Sequence, residues 1–233
     1  MINKIRNYIK KDPISFIHIE ELLDRNYTII YASENGFIIH DNDVDFTYIS
    51  FSDVNEMKEV LTNHHYDHYL AYDKEIVEYF NDEGKTTNLY QYAFLSKEKF
   101  DVSEYDIRKL GLEYLDTINS IYKALGPDED NKDALVKDEV LGIFENNELA
   151  GFIGRHPEGC LGMLHIFEKY RRKGYGEALE KAKINDLLDR KQRVFEEVVV
   201  ENGASLALQT KLGFTKGDKT IYWKIWEILK RNI

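Results

Sequence analysis

The chain is poor in cysteine and contains no long apolar stretch. One cysteine among 233 residues cannot form an internal disulfide, so we expect a reducing, cytoplasmic environment. No apolar run approaches the roughly 20 residues that span a bilayer, and the segment from Met1 to Arg6 lacks the apolar stretch of a signal peptide. These absences predict a cytoplasmic protein without a membrane partner.

Basic residues are scarce relative to acidic ones. Lysine and arginine total 31 against 42 aspartates and glutamates, which gives a formal net charge of -11. Nucleic-acid binding depends on neutralising phosphates with a basic surface, so this balance argues against a nucleic-acid partner. A negative field instead suits a cationic small molecule. The length of 233 residues predicts one full and one reduced domain, and 43% hydrophobic residues are enough for a core.

Against this background one basic, glycine-containing segment stands out, Arg171-Arg172-Lys173-Gly174-Tyr175-Gly176. Residues 162–167 before it have the pattern of a strand, and residues 177–188 after it have the pattern of a helix. Two glycines at such a junction let consecutive backbone N–H groups converge on an anion. We therefore predict a phosphate-binding loop, with Lys169 as a fourth nearby cation. Glycine required for turn geometry alone is the alternative interpretation.

A second segment, residues 198–214, contains Asn202 and closes with Leu212-Gly213-Phe214. Together the two segments resemble the GNAT superfamily of acyl-CoA-dependent N-acyltransferases. The first matches the pyrophosphate loop of that family, Q/R-x-x-G-x-G/A, with its tyrosine–arginine lead-in at Tyr170-Arg171. The resemblance covers about residues 140–225. It is closest to the glycine-N-acyltransferase-like group, partly because Thr220-Ile221-Tyr222-Trp223 follows as a final strand.

The resemblance implies an α/β (α+β) fold, with a GNAT-type mixed, splayed β-sheet flanked by helices in residues 99–233. The implied order of elements is β-α-β-β-β-α-β-α-β. Residues 1–98 show helical and alternating strand patterns but no phosphate loop, which predicts a smaller α+β N-terminal domain. Whether this domain is a degenerate copy of the second is left open. The polar segment Lys97-Glu98-Lys99 is the predicted boundary.

The resemblance also implies a function, the transfer of an acyl group from acyl-CoA to the primary amine of a small molecule or amino acid by direct attack. Acetyl-CoA is the expected co-substrate, with another acyl-CoA as the alternative, and no metal is implied. The main chain before the loop would hold the pantetheine arm and the acyl carbonyl, and the loop amides would hold the pyrophosphate. The implied cofactor-binding residues are Ile166, Phe167, Glu168, Arg171, Arg172, Lys173, Gly174, Tyr175, Gly176, Glu177 and Asn202. Asn202 has capping of the next helix as a second interpretation. The alternative function is a non-catalytic acyl-CoA sensor, and monomer and homodimer are both left open.

The proton-transfer residues depart from the family pattern. Gln209 stands where the family has its general-acid tyrosine, and glutamine cannot deliver a proton. Cys160 stands where some members have a catalytic glutamate, and a cysteine on an apolar strand usually belongs to the core. His165, with an ordinary pKa of about 6.5, is the better candidate base, and Glu197 or water are alternatives. We therefore predict His165, Cys160 and Gln209 as the catalytic candidates, and we expect positioning to contribute more than proton transfer.

Two further patterns receive lesser roles. The spacing His64-His65-x-x-His68 would place imidazoles on one helix face, but we predict no metal site there. The first long helix of the second domain is predicted to end at Gly126-Pro127, and residues 128–133 are predicted to be a charged, solvated loop.

Overall fold

The computed structural model describes residues 1–66, 68–81, 85–122 and 129–225. In residues 1–93 the order of elements is α1 (Ile2–Ile9), α2 (Ile17–Leu22), β1 (Tyr27–Ala32), β2 (Gly36–Asp41), β3 (Phe46–Phe51), α3 (Val54–Leu61), β4 (His68–Ala71), α4 (Lys74–Phe80) and β5 (Lys85–Ala93).

The rest of the described chain continues in the same mixed α+β style, which confirms the predicted fold class. Its elements are β6 (Asp106–Lys109), a 3-10 helix (Leu112–Tyr114), α5 (Leu115–Ile121), α6 (Glu129–Val136), β7 (Leu141–Glu145), β8 (Glu148–Arg155), β9 (Leu161–Ile166), a second 3-10 helix (Glu168–Tyr170), α7 (Tyr175–Asp189), β10 (Phe195–Val199), α8 (Gly203–Leu212) and β11 (Thr215–Ile225).

The chain folds into two compact units that do not coincide with the predicted division at 98/99. The N-terminal unit contains Met1–Ala93 together with the described residues from Glu197 onward, and the central unit contains Phe94–Glu196. The cause is the last strand, because β11 pairs antiparallel with both β4 and β5. Residues 197–225, which the sequence assigned to the second domain, therefore complete the first unit.

The N-terminal unit is built on a mixed sheet with the strand order β1-β2-β3-β4-β11-β5. The strands β1, β2 and β3 are antiparallel neighbours, whereas β3 and β4 run parallel and are joined by α3. One apolar cluster includes Ile5 of α1 and Ile19 of α2, and another includes Met57 of α3 and Ile76 of α4. The buried residues of this unit thus come from its helices as well as its sheet.

The same order of elements occurs twice along the chain. Two helices, three strands, a helix, a strand, a helix and a strand follow one another from α1 to β5, and again from α5 to β11. In the first copy the Asp53 carboxylate caps α3 by accepting from the amides of Asn55 and Glu56. An acidic side chain therefore satisfies the helix N-terminus that could otherwise bind a phosphate.

The central unit contains an antiparallel sheet in the order β6-β7-β8-β9, which the beginning of β10 continues. Phe152 of β8 and Met163 of β9 pack with Ile118 of α5. Ile166, by contrast, lies close to Gly176 of α7. Because these contacts use opposite sides of the pleated strands, α5 and α7 cover opposite faces of the β8–β9 hairpin.

A buried charge network fixes α7 to the segment that precedes β7. Lys183 is fully buried, and its ammonium group lies 2.9 Å from Glu139 and 2.8 Å from Asp186. Arg190 contacts the same two carboxylates at 2.9 and 3.1 Å. Because the buried cation has two anionic partners, its loss of hydration is offset and α7 is held in one position.

One helix of the central unit is not predicted by the sequence pattern. Residues 129–133, expected to be a solvated loop, form the first part of α6. Ala134 and Leu135 supply buried apolar contacts near the end of this helix, and such a short apolar stripe gives no clear periodicity. The predicted helix end at Gly126-Pro127, and residue 128, lie outside the described residues.

Candidate functional site

Strand β9 has one paired edge and one largely open edge. It pairs antiparallel with β8 from Leu161 to Ile166. On the other edge, within the described residues, its pairing with β10 consists of the single position Glu196 opposite Leu161. Beyond Leu161 this edge of the backbone is therefore available to an extended ligand.

A bulge interrupts β9 just after that position. The register with β8 shifts by one residue between the pairs Phe152–His165 and Gly154–Gly162, and Met163 has a left-handed φ of 57°. An inserted residue bends and twists its strand, so β9 changes direction where the open edge begins. The predicted splayed sheet is confirmed by this geometry.

The backbone of Ile166 is directed to the open edge. The Phe167 amide donates to the Ala150 carbonyl at 3.0 Å, which makes these two residues a hydrogen-bonded pair of the β8–β9 ladder. In an antiparallel ladder the adjacent residue directs its N–H and C=O to the opposite side. Ile166 is that residue, and its carbonyl accepts from Arg171 Nε at 3.1 Å. This corrects the expectation for Phe167, because its amide is used within the sheet.

The chain enters α7 through a turn with two left-handed residues. Arg172 has a φ of 65°, and Gly174 has a φ of 80°. Gly174 is the N-cap of α7, and because it has no side chain it provides no side-chain cap. The amides of Tyr175, Gly176 and Glu177 form the first helical turn, where the helix dipole adds partial positive charge. The turn therefore has the geometry of an anion-binding site.

Gly174 and Gly176 differ in whether the structure requires a glycine at their position. Gly174 needs the left-handed backbone that strains other residues. At Gly176, a Cβ atom would lie 3.8 Å from Ile166 and 3.9 Å from Leu164, which are ordinary van der Waals distances. The packing of the protein has room for a methyl group at 176, so packing does not explain this glycine.

Two of the four predicted cations near the turn already have anionic partners. Lys169 binds Glu148 at 2.6 Å, and Lys173 binds Glu145 at 2.8 Å. Hydrogen bonds from these lysines hold the pKa values of both carboxyls below their ordinary range. Within the expected cluster of four cations, the charges of the two lysines are therefore neutralised by Glu148 and Glu145.

The arginines of the turn differ from the lysines. Neither Arg171 nor Arg172 contacts a carboxylate among the residues that the structure describes. The Tyr175 hydroxyl also donates a hydrogen bond to Glu145, at 2.5 Å. This bond raises the pKa of Tyr175 to about 12. The net positive charge beside the turn thus comes from the two arginines.

His165 lies between two aromatic rings on the α5 face of β9. Its ring centroid is 5.7 Å from that of Phe152, nearly stacked, and 5.3 Å from that of Phe167, edge-on. Burial lowers the pKa of His165, and the charge of Arg171 lowers it further. The imidazole is therefore neutral at pH 7 and keeps the lone pair that a base requires.

Cys160 lies immediately before β9 and is 4% exposed. Its thiol is 3.5 Å from a carboxylate oxygen of Glu158. A reactive thiolate needs an accessible, electropositive environment, whereas this thiol is buried beside an acid. The position is that of a core residue, as the alternative interpretation of the sequence has it.

The two remaining predicted site residues belong to the N-terminal unit. Asn202 is the N-cap of α8, and its side-chain oxygen accepts from the Ser205 amide at 3.2 Å. This confirms the capping interpretation, while contact with a cofactor stays a prediction. Gln209 on the same helix is fully buried and not on an exposed face.

The histidines that suggested a metal pattern do not share a helix. His64 and His65 follow α3, and His68 begins β4. The described part of the chain contains no group of three metal-ligating side chains. No described helix combines the length and apolar character needed to cross a bilayer.

One imidazole beside β9 is missed by the sequence analysis. His156 follows β8 and lies over Gly162, where a Cβ atom would be 2.1 Å from His156 Nε2. The same nitrogen is 3.3 Å from the Tyr122 hydroxyl. His156 is part of no motif and precedes Pro157 in a turn, so only the fold brings it next to β9.

Comparison with known proteins agrees with this geometry. Residues 140–223 match the family model described as FR47-like protein. Solved structures of GNAT-family acetyltransferases share the arrangement of helices and strands over most of the chain. The chain has the GNAT acetyltransferase fold. The finer prediction of a glycine-N-acyltransferase-like GNAT protein is not established by these matches.

The similar structures have low sequence identity. A protein of Drosophila has 16% identity and a TM-score of 0.73, and the match covers 96% of this chain and 95% of that chain. An acetyltransferase of the GNAT family from Colwellia psychrerythraea has 11% identity and a TM-score of 0.55, with 96% of each chain covered. A tandem GNAT protein from the clavulanic acid biosynthesis pathway has 12% identity and a TM-score of 0.50, with 89% of this chain and 86% of that chain covered.

No curated protein is significantly similar in sequence to the chain.

Proposed function

We propose that the protein is a cytoplasmic acyl-CoA-dependent N-acyltransferase, most simply an N-acetyltransferase, that acylates a primary amine of a small molecule or amino acid. One observation carries the proposal: the open edge of β9 leads into the uncapped N-terminus of α7. A ligand that fits both features is extended along a strand edge and ends in a phosphate group. CoA combines a pantetheine arm with a pyrophosphate, and it carries the acyl group as a thioester.

The residues of the central unit fit this co-substrate. The Ile166 backbone would pair with the pantetheine arm and donate to the acyl carbonyl, where negative charge develops during transfer. The amides from Arg172 to Glu177 would hold the pyrophosphate. Arg171 and Arg172 would add the positive charge that the paired lysines cannot supply.

The chemistry needs little beyond positioning. Holding an amine and a thioester in contact replaces a bimolecular encounter by an intramolecular one. The sulfur leaves readily, because a thiol has a pKa of about 8.5. A neutral base near the amine is still required, and His165, the candidate from the sequence, is neutral at pH 7. The acceptor stays open between a simple amine and an amino acid.

The glycine at 176 supplies the sharpest test of the CoA site. A methyl group at this position meets only ordinary contacts within the protein. Alanine is also the better helix former, by up to about 1 kcal/mol. In the proposed complex, however, the methyl group would occupy space between α7 and the ligand. Gly176→Ala is therefore expected to raise or preserve the melting temperature while weakening acetyl-CoA binding ~tenfold, or about 1.4 kcal/mol.

Calorimetric titration with acetyl-CoA and thermal denaturation measure both quantities. Gly203→Ala is the matched control, because Gly203 begins α8 and a Cβ atom there has no neighbour within 4 Å. It should leave acetyl-CoA affinity unchanged. Wild-type protein that does not bind acetyl-CoA, or a Gly176→Ala variant that binds it as tightly as wild type, would contradict the proposed site.

A further inference from the structure

We propose that His156 is the general base that takes the proton from the acceptor amine, and that Tyr122 positions it. The inference rests on the proposed N-acyltransferase function and assigns a step that the buried Cys160 and Gln209 do not provide. It places the proton transfer on a residue outside the sequence motifs.

The proposal places the acceptor on the α5 face of β9, the face that carries His165. His156 is on the α5 face. Alternate residues of a strand project to one side, and Phe152 and Gly154 of β8 form such a series with His156, which directly follows the strand. Phe152 packs with Ile118 of α5, which identifies the side.

The imidazole has a defined place at the beginning of the open edge. A Cβ atom at Gly162 would lie 2.1 Å from Nε2 and 2.4 Å from Cδ2 of His156, so glycine is what allows the ring to lie there. Gly162 directly follows Leu161, the position that pairs with β10. The backbone of His156 is also fixed, since its amide donates to Cys160 O and its carbonyl accepts from the Gly159 amide, both at 2.9 Å.

The Tyr122 hydroxyl is the hydrogen-bond partner of this imidazole. Its hydroxyl lies 3.3 Å from His156 Nε2, and burial raises the pKa of Tyr122 to about 12, so it stays a hydroxyl. In the proposed arrangement Nε2–H donates to the Tyr122 oxygen, which leaves the lone pair of the neutral ring on Nδ1. No described residue forms a hydrogen bond with Nδ1. The proposal gives Nδ1 to the substrate.

The position of Tyr122 is itself built into the helix pair. Its amide donates to Ile118 O at 2.7 Å, at the end of α5. The Tyr122 carbonyl accepts a hydrogen bond from Asn131 Nδ2 at 3.1 Å. Asn131 Nδ2 also donates to Asn119 Oδ1 at 2.7 Å. Asn131 is 3% exposed. A buried amide of α6 therefore fixes the residue that orients His156.

Charged side chains lie next to His156 along the chain. Glu158 and Cys160 lie on the turn after β8, and both contribute to the electrostatic environment of the neighbouring Tyr122. Arg155 is the adjacent cation, and its Nε donates to Gly159 O at 2.8 Å.

The step balances without another reactant. The acceptor ammonium gives one proton to His156 Nδ1 and becomes a neutral amine. The amine nitrogen bonds to the acyl carbon, and the carbon–sulfur bond breaks with its electron pair on sulfur. The second nitrogen proton passes to the thiolate, which leaves as a thiol, and the imidazolium returns its proton to water.

His165 is the natural comparison, because it shares the α5 face. Its ring is held by Phe152 and Phe167, and no hydrogen bond to a described residue fixes its tautomer. Its lowered pKa makes it neutral but a weaker base. We therefore expect His165 to shape the site while His156 exchanges the proton.

The test compares His156→Gln, Tyr122→Phe and His165→Gln in the full chain. Acetyl-CoA is the donor, and methylamine, putrescine, tyramine and glycine are the acceptor probes. His156→Gln is expected to lower kcat/KM ~10²–10⁴-fold at neutral pH and to abolish the acidic limb of the pH profile. His165→Gln should retain that limb. Calorimetry should show unchanged acetyl-CoA affinity for all three variants.

A spectroscopic readout tests the pair independently of turnover. Nitrogen-15 NMR of the free protein, with the His156 signals assigned from His156→Gln, distinguishes protonation at Nε2 from protonation at Nδ1. We expect the Nε2–H tautomer in wild type and a mixture of both tautomers in Tyr122→Phe. Protonation of wild-type His156 at Nδ1 would overturn the proposal.

Gly162→Ala gives a second variant that leaves both groups chemically intact. The added methyl group collides with the end of the His156 side chain, which can rotate away, so the fold should survive. Turnover should fall as in His156→Gln, with acetyl-CoA binding unchanged. Retention of the acidic limb in His156→Gln would overturn this inference alone, whereas failure of wild type to bind acetyl-CoA or to acylate any probe would overturn the proposed function as well.

Discussion

Single glycines in this chain distinguish the needs of the fold from the needs of a ligand. A Cβ atom at Gly36 would lie 2.6 Å from the backbone oxygen of Ser50, so the β2–β3 pair itself requires glycine there. Gly174 is required by its left-handed backbone. At Gly176 neither a close backbone contact nor a left-handed backbone requires glycine. At Gly162 a Cβ atom would collide with the His156 side chain and not with backbone. A sequence motif shows where the glycines are, whereas the structure shows which of them the fold requires.

Cys160 tests how far the family pattern determines chemistry. We expect Cys160→Ser to lower kcat/KM less than tenfold, below the ~10²–10⁴-fold effect of losing a positioned acid or base. The thiol is buried beside Glu158, and serine preserves its size and a weak hydrogen bond. Steady-state kinetics with acetyl-CoA and the probe amine that wild type prefers measure the effect. A loss of a thousandfold with unchanged acetyl-CoA affinity would show that the thiol takes part in the reaction.

At the scale of elements, α7 and β10 bring together two glutamates, of which Glu180 is fully buried and Glu196 is partly buried. Glu180 of α7 is 2% exposed, and its carboxyl hydrogen-bonds to that of Glu196 at the start of β10. Burial, and then the charge of Glu180, raise the pKa of Glu196 well above its ordinary value. Two carboxyls in this arrangement are stable with a shared proton, because two buried negative charges would repel.

This pair should make stability depend on pH. Below the ordinary pKa of a glutamate, Glu196 is protonated in both the folded and unfolded chain, and its full contribution is present. Above that value the unfolded chain ionises first, so stability falls as pH rises until the folded-state pKa is passed. Glu196→Gln should flatten this fall, as measured by thermal denaturation from about pH 4 to about pH 9.

The exposed Glu201 provides the control for that experiment. Glu201→Gln should reproduce the wild-type pH dependence. If Glu196→Gln loses stability as steeply with rising pH as wild type does, the shared proton is not the cause.

The elements that could be predicted from the sequence are those with local signals. The alternation in β3 and the Asp53 cap of α3 are read directly from neighbouring residues. The turn before α7 is equally visible in the sequence, because its glycines and cations are contiguous. By contrast, α6 lacks a long apolar stripe, and Tyr122 and His156 are 34 positions apart, so only tertiary structure pairs them.

At the scale of the whole molecule, β11 decides which parts of the chain fold together. It pairs with β5 over most of its length and with β4 from Tyr222 to Ile225. Its residue Ile221 is fully buried in the apolar cluster that contains residues of α1, α2 and the neighbouring strands. No local pattern specifies these partners, because the alternation of apolar and polar residues identifies a strand but not the strands with which it pairs.

Removing residues 1–93 is therefore expected to produce an insoluble fragment. β11 would lose both neighbouring strands, and Ile221 would be exposed. Size-exclusion chromatography and circular dichroism of residues 94–233 measure this. Separately produced residues 1–93, added during refolding, should restore a soluble complex. A fragment that is monomeric and folded by itself would contradict the requirement for the N-terminal strands.

The place of β11 also sets the timing of folding during synthesis. β4 and β5 are joined through β11 rather than to each other, and β11 is synthesised more than 100 residues after β5, about 122 by residue number. At ~5–20 residues per second, the first strands wait on the order of ten seconds for their partner. During that interval two strand edges stay open to other nascent chains. The N-terminal unit is thus complete only after β11 has been synthesised, and a chain that stops short of β11 leaves its first-made unit incomplete.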